Sequence, residues 1–238
     1  MKLSKRLIHV CNMVSSGNAV LDVGCDHAYV PIYLVSQGKC PEAIASDIQQ
    51  GPLEHAQQNV DSCHLGSRIL VERCDGVPKH FREQFGDAQV TLVISGMGGL
   101  MIRSILEKAG SCIEGIDEFV LSPQRDDDIV RYCIGDLGYE IRDEVFLEED
   151  GKFYPIIRAT KRKEGETAEK LTYEEALWGP VLIENRDKVL ARYLEKRLDV
   201  LGGILHDLAV GNSTDDRRAA DIYHEITAVS RTLERIGG

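Results

Sequence analysis

Between residues 19 and 160, short apolar runs alternate with amphipathic stretches, a pattern that predicts the strand-and-helix units of a parallel sheet. Five runs read as strands: AVLDVG from Ala19, EAIASD from Glu42, RILVERCD from Arg68, VTLVISG from Val90 and EFVLS from Glu118. Helices are expected to begin near Pro31, Pro52, Gly99 and Asp126; a proline suits a first helical turn, where its missing N–H has no partner to lose. The stretch YEIRDEVFLEEDGKFYPIIRAT, from Tyr139, reads instead as two strands joined at Asp150-Gly151, because Asp-Gly between alternating apolar residues signals a hairpin turn. The sheet is thus expected to end in an antiparallel hairpin.

After Lys163 the pattern changes. The connector KRKEGETAEK is charged, and every Cys, Phe and Met of the chain precedes it. Beyond it Leu190, Leu194, Leu198, Leu201, Leu205 and Leu208 recur at threes and fours, and so do Ile222, Ile226, Val229, Leu233 and Ile236. These stripes predict two helices, with Gly211 ending the first and Ser213 or Thr214 capping the second. The expected organisation is an α/β domain over residues 1–163 and a coiled-coil-like antiparallel helical hairpin over 164–238, its stripes packed on each other or on the first domain.

Composition bounds the function. A chain of 238 residues that is 43% hydrophobic can bury a substantial core. The stretch KLSKRLIHVCNMVSSG mixes charge with apolar residues and lacks the continuous apolar run of a signal peptide or membrane span, so a cytoplasmic protein away from the membrane is expected. The seven cysteines are odd in number and never form a CxxC pair, so neither a disulfide framework nor a metal site is expected. A net charge of −11 argues against a polyanionic partner. The distribution tempers that: Lys2, Lys5 and Arg6 cluster, as do Arg158, Lys161, Arg162 and Lys163, and Arg186, Lys188, Arg192, Lys196 and Arg197 recur along a later helix. These clusters read as a local basic face or as solvated surface.

Four successive strand ends carry Asp or Gly. Gly24 follows the first strand, where the backbone must turn tightly and approach a ligand at the carboxyl edge of a parallel sheet. Asp47 closes the second, where an acidic side chain can accept both hydroxyls of a ribose. Asp75 closes the third, and Ser95 to Gly99 close the fourth. A dinucleotide would want a glycine-rich loop for its pyrophosphate, whereas GCDHAYVP offers one glycine and a carboxylate that repels phosphate. Asp26 suits a cationic sulfonium ligand better.

The whole set resembles the class I methyltransferases that use S-adenosylmethionine. Together DVGCDHAYVPIYL, ASDI, ISGMGGLMIRSIL and VRYCIGDLGYEIRDEVFLEEDGKFYPII, followed by a helical hairpin, resemble the bacterial tRNA (adenine-22-N1)-methyltransferase family over essentially the whole chain. The chain carries Cys25 where that family has serine, and LSPQRDDD is a looser match. The resemblance implies a Rossmann-like sheet and a methyl transfer from S-adenosylmethionine to adenine N1 in tRNA, by a single chain without metal. It places Asp22 and Gly24 at the methionine side, Asp47 at the ribose, and Asp75 and Gly76 at the adenine, with Ile48, Ser95, Gly96 and Met97 completing the cofactor site. Asp26 is the candidate catalytic group, and His27, Tyr29, Gly98, Lys5, Arg6 and Arg192 are candidates for contact with the target base or the tRNA. Asp26 has a second reading as the cap of the helix near Tyr29, and His27 as a hydrogen-bonded structural imidazole. A small-molecule methyltransferase, a dinucleotide-dependent oxidoreductase and a non-catalytic RNA-binding protein remain the alternatives.

Overall fold

The computed structural model describes residues 3–163, 165, 170–210 and 216–237. Ser4 caps the first helix, α1 (Lys5–Met13), by accepting the Leu7 amide at 3.2 Å. The chain then alternates: β1 (Ala19–Val23), α2 (Tyr29–Ser36), β2 (Ala43–Asp47), α3 (Gln50–Ser62), β3 (Ile69–Arg73), α4 (Phe81–Phe85), β4 (Val90–Ser95), α5 (Gly99–Ala109), β5 (Glu118–Ser122) and α6 (Asp127–Asp136). β6 (Tyr139–Glu149) and β7 (Lys152–Lys161) form the hairpin. Asp150 and Gly151 both hold positive φ, 52° and 74°, as a two-residue turn matched to the twist of its strands requires.

The seven strands lie in the order β3-β2-β1-β4-β5-β7-β6. The first five are parallel, and β7 joins β5 antiparallel, with Phe119 opposite Ala159. β1 and β5 are buried at every position, and β4 at all but its last. Strands covered on both faces read as unbroken apolar runs, which is why their sequence signal was strong. Leu21, Leu92, Ile94, Ile102, Leu106, Phe119 and Leu121 form the centre of the core.

Polar groups at the amino end of this sheet are paired. Glu118 accepts from the Ser15 amide (2.8 Å), Ser15 Oγ (2.6 Å), Thr91 Oγ1 (2.8 Å) and Arg158 Nε (2.7 Å). Arg158, one of the basic cluster seen in sequence, is therefore engaged inside the fold. Arg131 is buried too, with Glu144 Oε1 at 2.8 Å and Asp127 Oδ2 at 3.1 Å.

Contacts divide the chain into two compact units, Met1–Val145 with Tyr154–Ala168, and Phe146–Phe153 with Glu169–Gly238. The second contains α7 (Tyr173–Trp178), opened by a Thr172–Glu175 capping box, then α8 (Pro180–Glu184), α9 (Lys188–Val210) and α10 (Asp216–Gly237). The stripes of α9 and α10 pack on each other: Leu190, Leu194, Leu201, Ile222, Val229 and Ile236 are buried together. The hairpin tip is built into the same unit, Phe146 and Phe153 stacking at 5.7 Å and both meeting Tyr193. The residues assigned to the turn between the long helices, Gly211, Ser213 and Thr214, lie outside the described residues, as does Lys2.

Glu144→Ala takes one of the two carboxylates from the buried Arg131 guanidinium and leaves Asp127 as the other, so it is expected to cost about 1.5–3 kcal/mol of stability, the worth of a hydrogen bond to a charged group. Urea unfolding measures this, and a loss of less than about 1 kcal/mol would place the Arg131 charge in contact with water.

Candidate active site

Because β1 to β4 are parallel and adjacent, their carboxyl ends line one edge of the sheet. At the end of β1 the Gly24 and Cys25 amides both donate to the Ser46 carbonyl, at 2.8 and 3.0 Å. Gly24 has φ 73°, and a Cβ there would collide with the Met97 methyl group. The turn continues through Asp26 (φ 51°) and Ala28 (φ 57°) and is closed by the Ala28 amide donating to the Cys25 carbonyl at 2.8 Å. Two non-glycine residues in the left-handed region within three positions cost about 1–2 kcal/mol each. Such strain is held only where the surrounding structure enforces it.

Asp22 lies in β1 beside this turn, 4% exposed. Burial, then the charges of Asp47 and Asp26, push its carboxyl up from the usual 3.8 to about 7. Burial and the charges of Asp22 and Asp47 also push the Cys25 thiol well above its ordinary range, making it an inert core group.

The side chain of Asp26 is 71% exposed, with Oδ1 3.5 Å from His27 Nε2. Its reading as a helix cap is corrected here: Ala28 occupies the cap position of α2, and no side chain bonds the free amides. His27 is fixed on three sides. Its ring stacks on Tyr29 at 5.3 Å and lies 5.2 Å from His55, and Asn59 Nδ2 donates to its carbonyl at 3.0 Å. His55 and Asn59 were not anticipated, although their spacing of four on α3 places them on one helix face.

At the end of β2, Asp47 Oδ1 accepts the Gln49 amide at 2.9 Å, and Ile48 stands 52% exposed beside it. Asp75 is exposed, 3.5 Å from Lys108 Nζ, and Gly76 follows with φ 92°. At the end of β4 Arg6 Nη1 donates to Ser95 Oγ at 2.6 Å, and the same guanidinium lies over the Tyr154 ring at 5.4 Å. Ser95, expected to face the cofactor, is thus engaged by α1.

The loop from Gly96 to Gly99 is tied to the end of β5 by three backbone bonds. Gly96 N donates to Ser122 O (3.0 Å), Gln124 N to Met97 O (2.9 Å) and Gly99 N to Arg125 O (2.8 Å). A Cβ on Gly99 would strike the Asp126 backbone, and Gly98 supplies the cap position of α5. Asp22, Gly24, Asp26, His27, Tyr29, Asp47, Ile48, Asp75, Gly76, Ser95, Gly96, Met97 and Gly98 thus lie at or beside the adjoining carboxyl ends of β1 to β4, and Arg6 joins them from α1. Lys5 is exposed on α1, and Arg192 is exposed on α9 in the second unit. Two other cations of α9 are engaged, Lys196 with Glu148 at 3.6 Å and Arg197 with Glu225 at 2.6 Å. Among the described residues, no group of three or more His, Cys, Asp and Glu side chains is placed to hold a metal ion, and no helix is long and apolar enough to cross a membrane.

Residues 20–231 match the family model described as tRNA (adenine(22)-N(1))-methyltransferase. The Bacillus subtilis (strain 168) enzyme described as tRNA (adenine(22)-N(1))-methyltransferase is 31% identical over 219 residues, 92% of this chain and 90% of that protein. Among solved structures, that of M. capricolum TrmK in complex with S-adenosyl-homocysteine superposes with a TM-score of 0.85 at 26% identity, covering 99% of this chain and 100% of the other. The crystal structure of the B. subtilis m1A22 tRNA methyltransferase TrmK gives a TM-score of 0.78 at 29% identity, covering 99% and 97%.

Asp22 generates a pH dependence. In the unfolded chain it ionises near 3.8, and in the fold it keeps its proton to about 7. Across that window the folded state binds more protons, so this group makes stability fall as pH rises and level off above the window. Asp22→Asn cannot ionise, so its stability relative to the parent is expected to increase from about pH 5 to about pH 7 and then stay constant. Urea midpoints of both proteins across this range check it; a difference that does not change with pH would show that the carboxyl is not held protonated.

Proposed function

The chain belongs to the tRNA (adenine(22)-N(1))-methyltransferase family, and on that premise we propose how its own residues carry out the transfer of a methyl group from S-adenosylmethionine to N1 of an adenine in tRNA. One observation carries the assignment of the cofactor side: around a single glycine turn the buried Asp22 carboxyl feels the charges of Asp47 and Asp26. Such a cluster repels the pyrophosphate of a dinucleotide and favours a ligand that is cationic at its amino group and its sulfur. The bare Cα of Gly24 lets that ligand approach the backbone, as a side chain there would not. Asp47 keeps Oδ2 for the ribose hydroxyls while Oδ1 is held by Gln49. Ile48 offers an exposed apolar surface for the adenine ring of the cofactor, and Asp75 with Gly76 closes its far side. When bound, the cofactor supplies an electrophilic methyl group on a sulfonium that departs as a neutral thioether.

Adenine N1 carries a free lone pair at neutral pH, so no base has to remove a proton before attack. The chain's task is to align the ring and to stabilise the positive charge that the purine acquires. Asp26 fits that task. It is exposed at the sheet edge, it caps no helix, and the His27 ring beside it is held by Tyr29 and His55. His27 acts here by positioning the carboxylate, and Tyr29 presents a stacking surface beside the base. Lys5, Arg6 and Arg192 contact the tRNA backbone. On this reading the enzyme works in the cytoplasm, where its tRNA substrate is, and as a monomer.

Mass analysis of nucleosides from unmodified tRNA incubated with the protein and S-adenosylmethionine is expected to yield 1-methyladenosine; methylation on another atom or base overturns the reading. Asp47→Ala is expected to weaken cofactor binding by roughly tenfold to a hundredfold, as loss of charge-assisted hydrogen bonds does. Calorimetry of the folded variant measures it, and unchanged affinity would remove Asp47 from the site. For Asp26→Ala, affinities for cofactor and tRNA should stay within a fewfold while the single-turnover rate falls about a hundredfold to a thousandfold. A parental rate in that variant would deprive Asp26 of its electrostatic role.

A further inference from the structure

The turns after β4 and β5 bring an uncommitted carboxamide to the site. Gln124 is anchored through its backbone, its N–H donating to Met97 O at 2.9 Å, and Met97 in turn packs against Gly24. Its side chain lies over the same loop: Nε2 is 3.8 Å, and Arg6 Nη1 3.5 Å, from where a Cβ on Gly96 would stand. The two side chains differ in commitment. Arg6 bonds Ser95 Oγ and covers Tyr154, whereas the exposed Gln124 amide has no hydrogen-bond partner among the described residues.

Transfer to N1 limits how the base can be held. N1 must remain open toward the methyl group, so any pairing that occupies it is excluded. The other edge of adenine offers an N6–H donor beside the N7 acceptor, and a primary amide matches both at once, accepting from N6 and donating to N7. Guanine presents two acceptors on that edge, so the amide oxygen would face O6. A neutral amide also adds no positive charge near a purine that becomes cationic. Asp26 is left the second N6 hydrogen, on the N1 side, so the two residues do not compete.

Resting on the adenine-N1 reading above, we infer that Gln124 reads the N6–N7 edge of the target adenine and so selects adenine while leaving N1 free.

The test uses two tRNAs that differ in one atom, one with adenosine and one with 7-deazaadenosine at the methylated position, in single turnover with saturating cofactor. The parent is expected to methylate the 7-deaza tRNA roughly tenfold more slowly, the loss of one hydrogen bond. Gln124→Ala is expected to be slower than the parent on the natural tRNA and to show no further loss on the 7-deaza one. Gln124→Glu can accept from N6 but cannot donate to N7, so its preference should invert in favour of 7-deazaadenosine. Equal parental rates on the two tRNAs overturn the inference without any variant. So does a Gln124→Ala protein that keeps the full tenfold preference. If the parent formed no 1-methyladenosine on the natural tRNA, the function reading itself would fail, and this inference with it.

Discussion

Asp22 is a carboxyl group in the middle of a sheet, with Ala45 of β2 on one side and Val93 of β4 on the other. Sealed from water and beside two further carboxylates, it holds its proton to about 7, and a cation beside it would favour the charged form. The rest of the sheet edge serves that condition. The Ser46 carbonyl gathers the Gly24 and Cys25 amides and turns the chain so that bare backbone, not a side chain, follows the strand end beside Asp22. The cost of a buried acid and of two strained residues is met by the core of β1, β4 and β5, whose side chains leave the strand ends no room to relax. Ligand preference here follows from charge already built into the strands.

The same edge accounts for how an acidic chain can act on a polyanion. On the proposed assignment the negative charge at β1 and β2 belongs to the cofactor side, while Arg6 and Arg125 border the loop after β4. Separation of the two signs across a few turns matters more than their sum over the chain.

The five parallel strands were legible because buried parallel strands cannot hide their apolar runs, and the Asp-Gly pair announced the hairpin. Helix α1 escaped notice, since KRLIHVCNM mixes charge with apolar residues, and only Val10, Cys11 and Met13 turn inward. The Thr172–Glu175 capping box was readable but lay next to a connector that drew attention to its charge alone. At the site, Asp22, Gly24, Asp47 and Asp75 were visible because each closes a strand. His55, Gln124 and Tyr154 were not, because nothing local distinguishes them; tertiary packing brings them to the edge. Positive φ at Asp26 and Ala28 was equally hidden, and it is what denies Asp26 the cap position that its spacing suggested.

The tip of the β6–β7 hairpin belongs to the second unit although the strands beneath it complete the first sheet. Phe146 and Phe153 find Tyr193 only after α9 has been made, and Tyr193 stands forty residues beyond Phe153 by sequence number. During synthesis the chain therefore passes through a stage at which the sheet is finished and two phenyl rings stand uncovered at its end. The helices that follow are what retire that surface, so a ribosome that stalls in the connector releases a nascent chain with a sticky end.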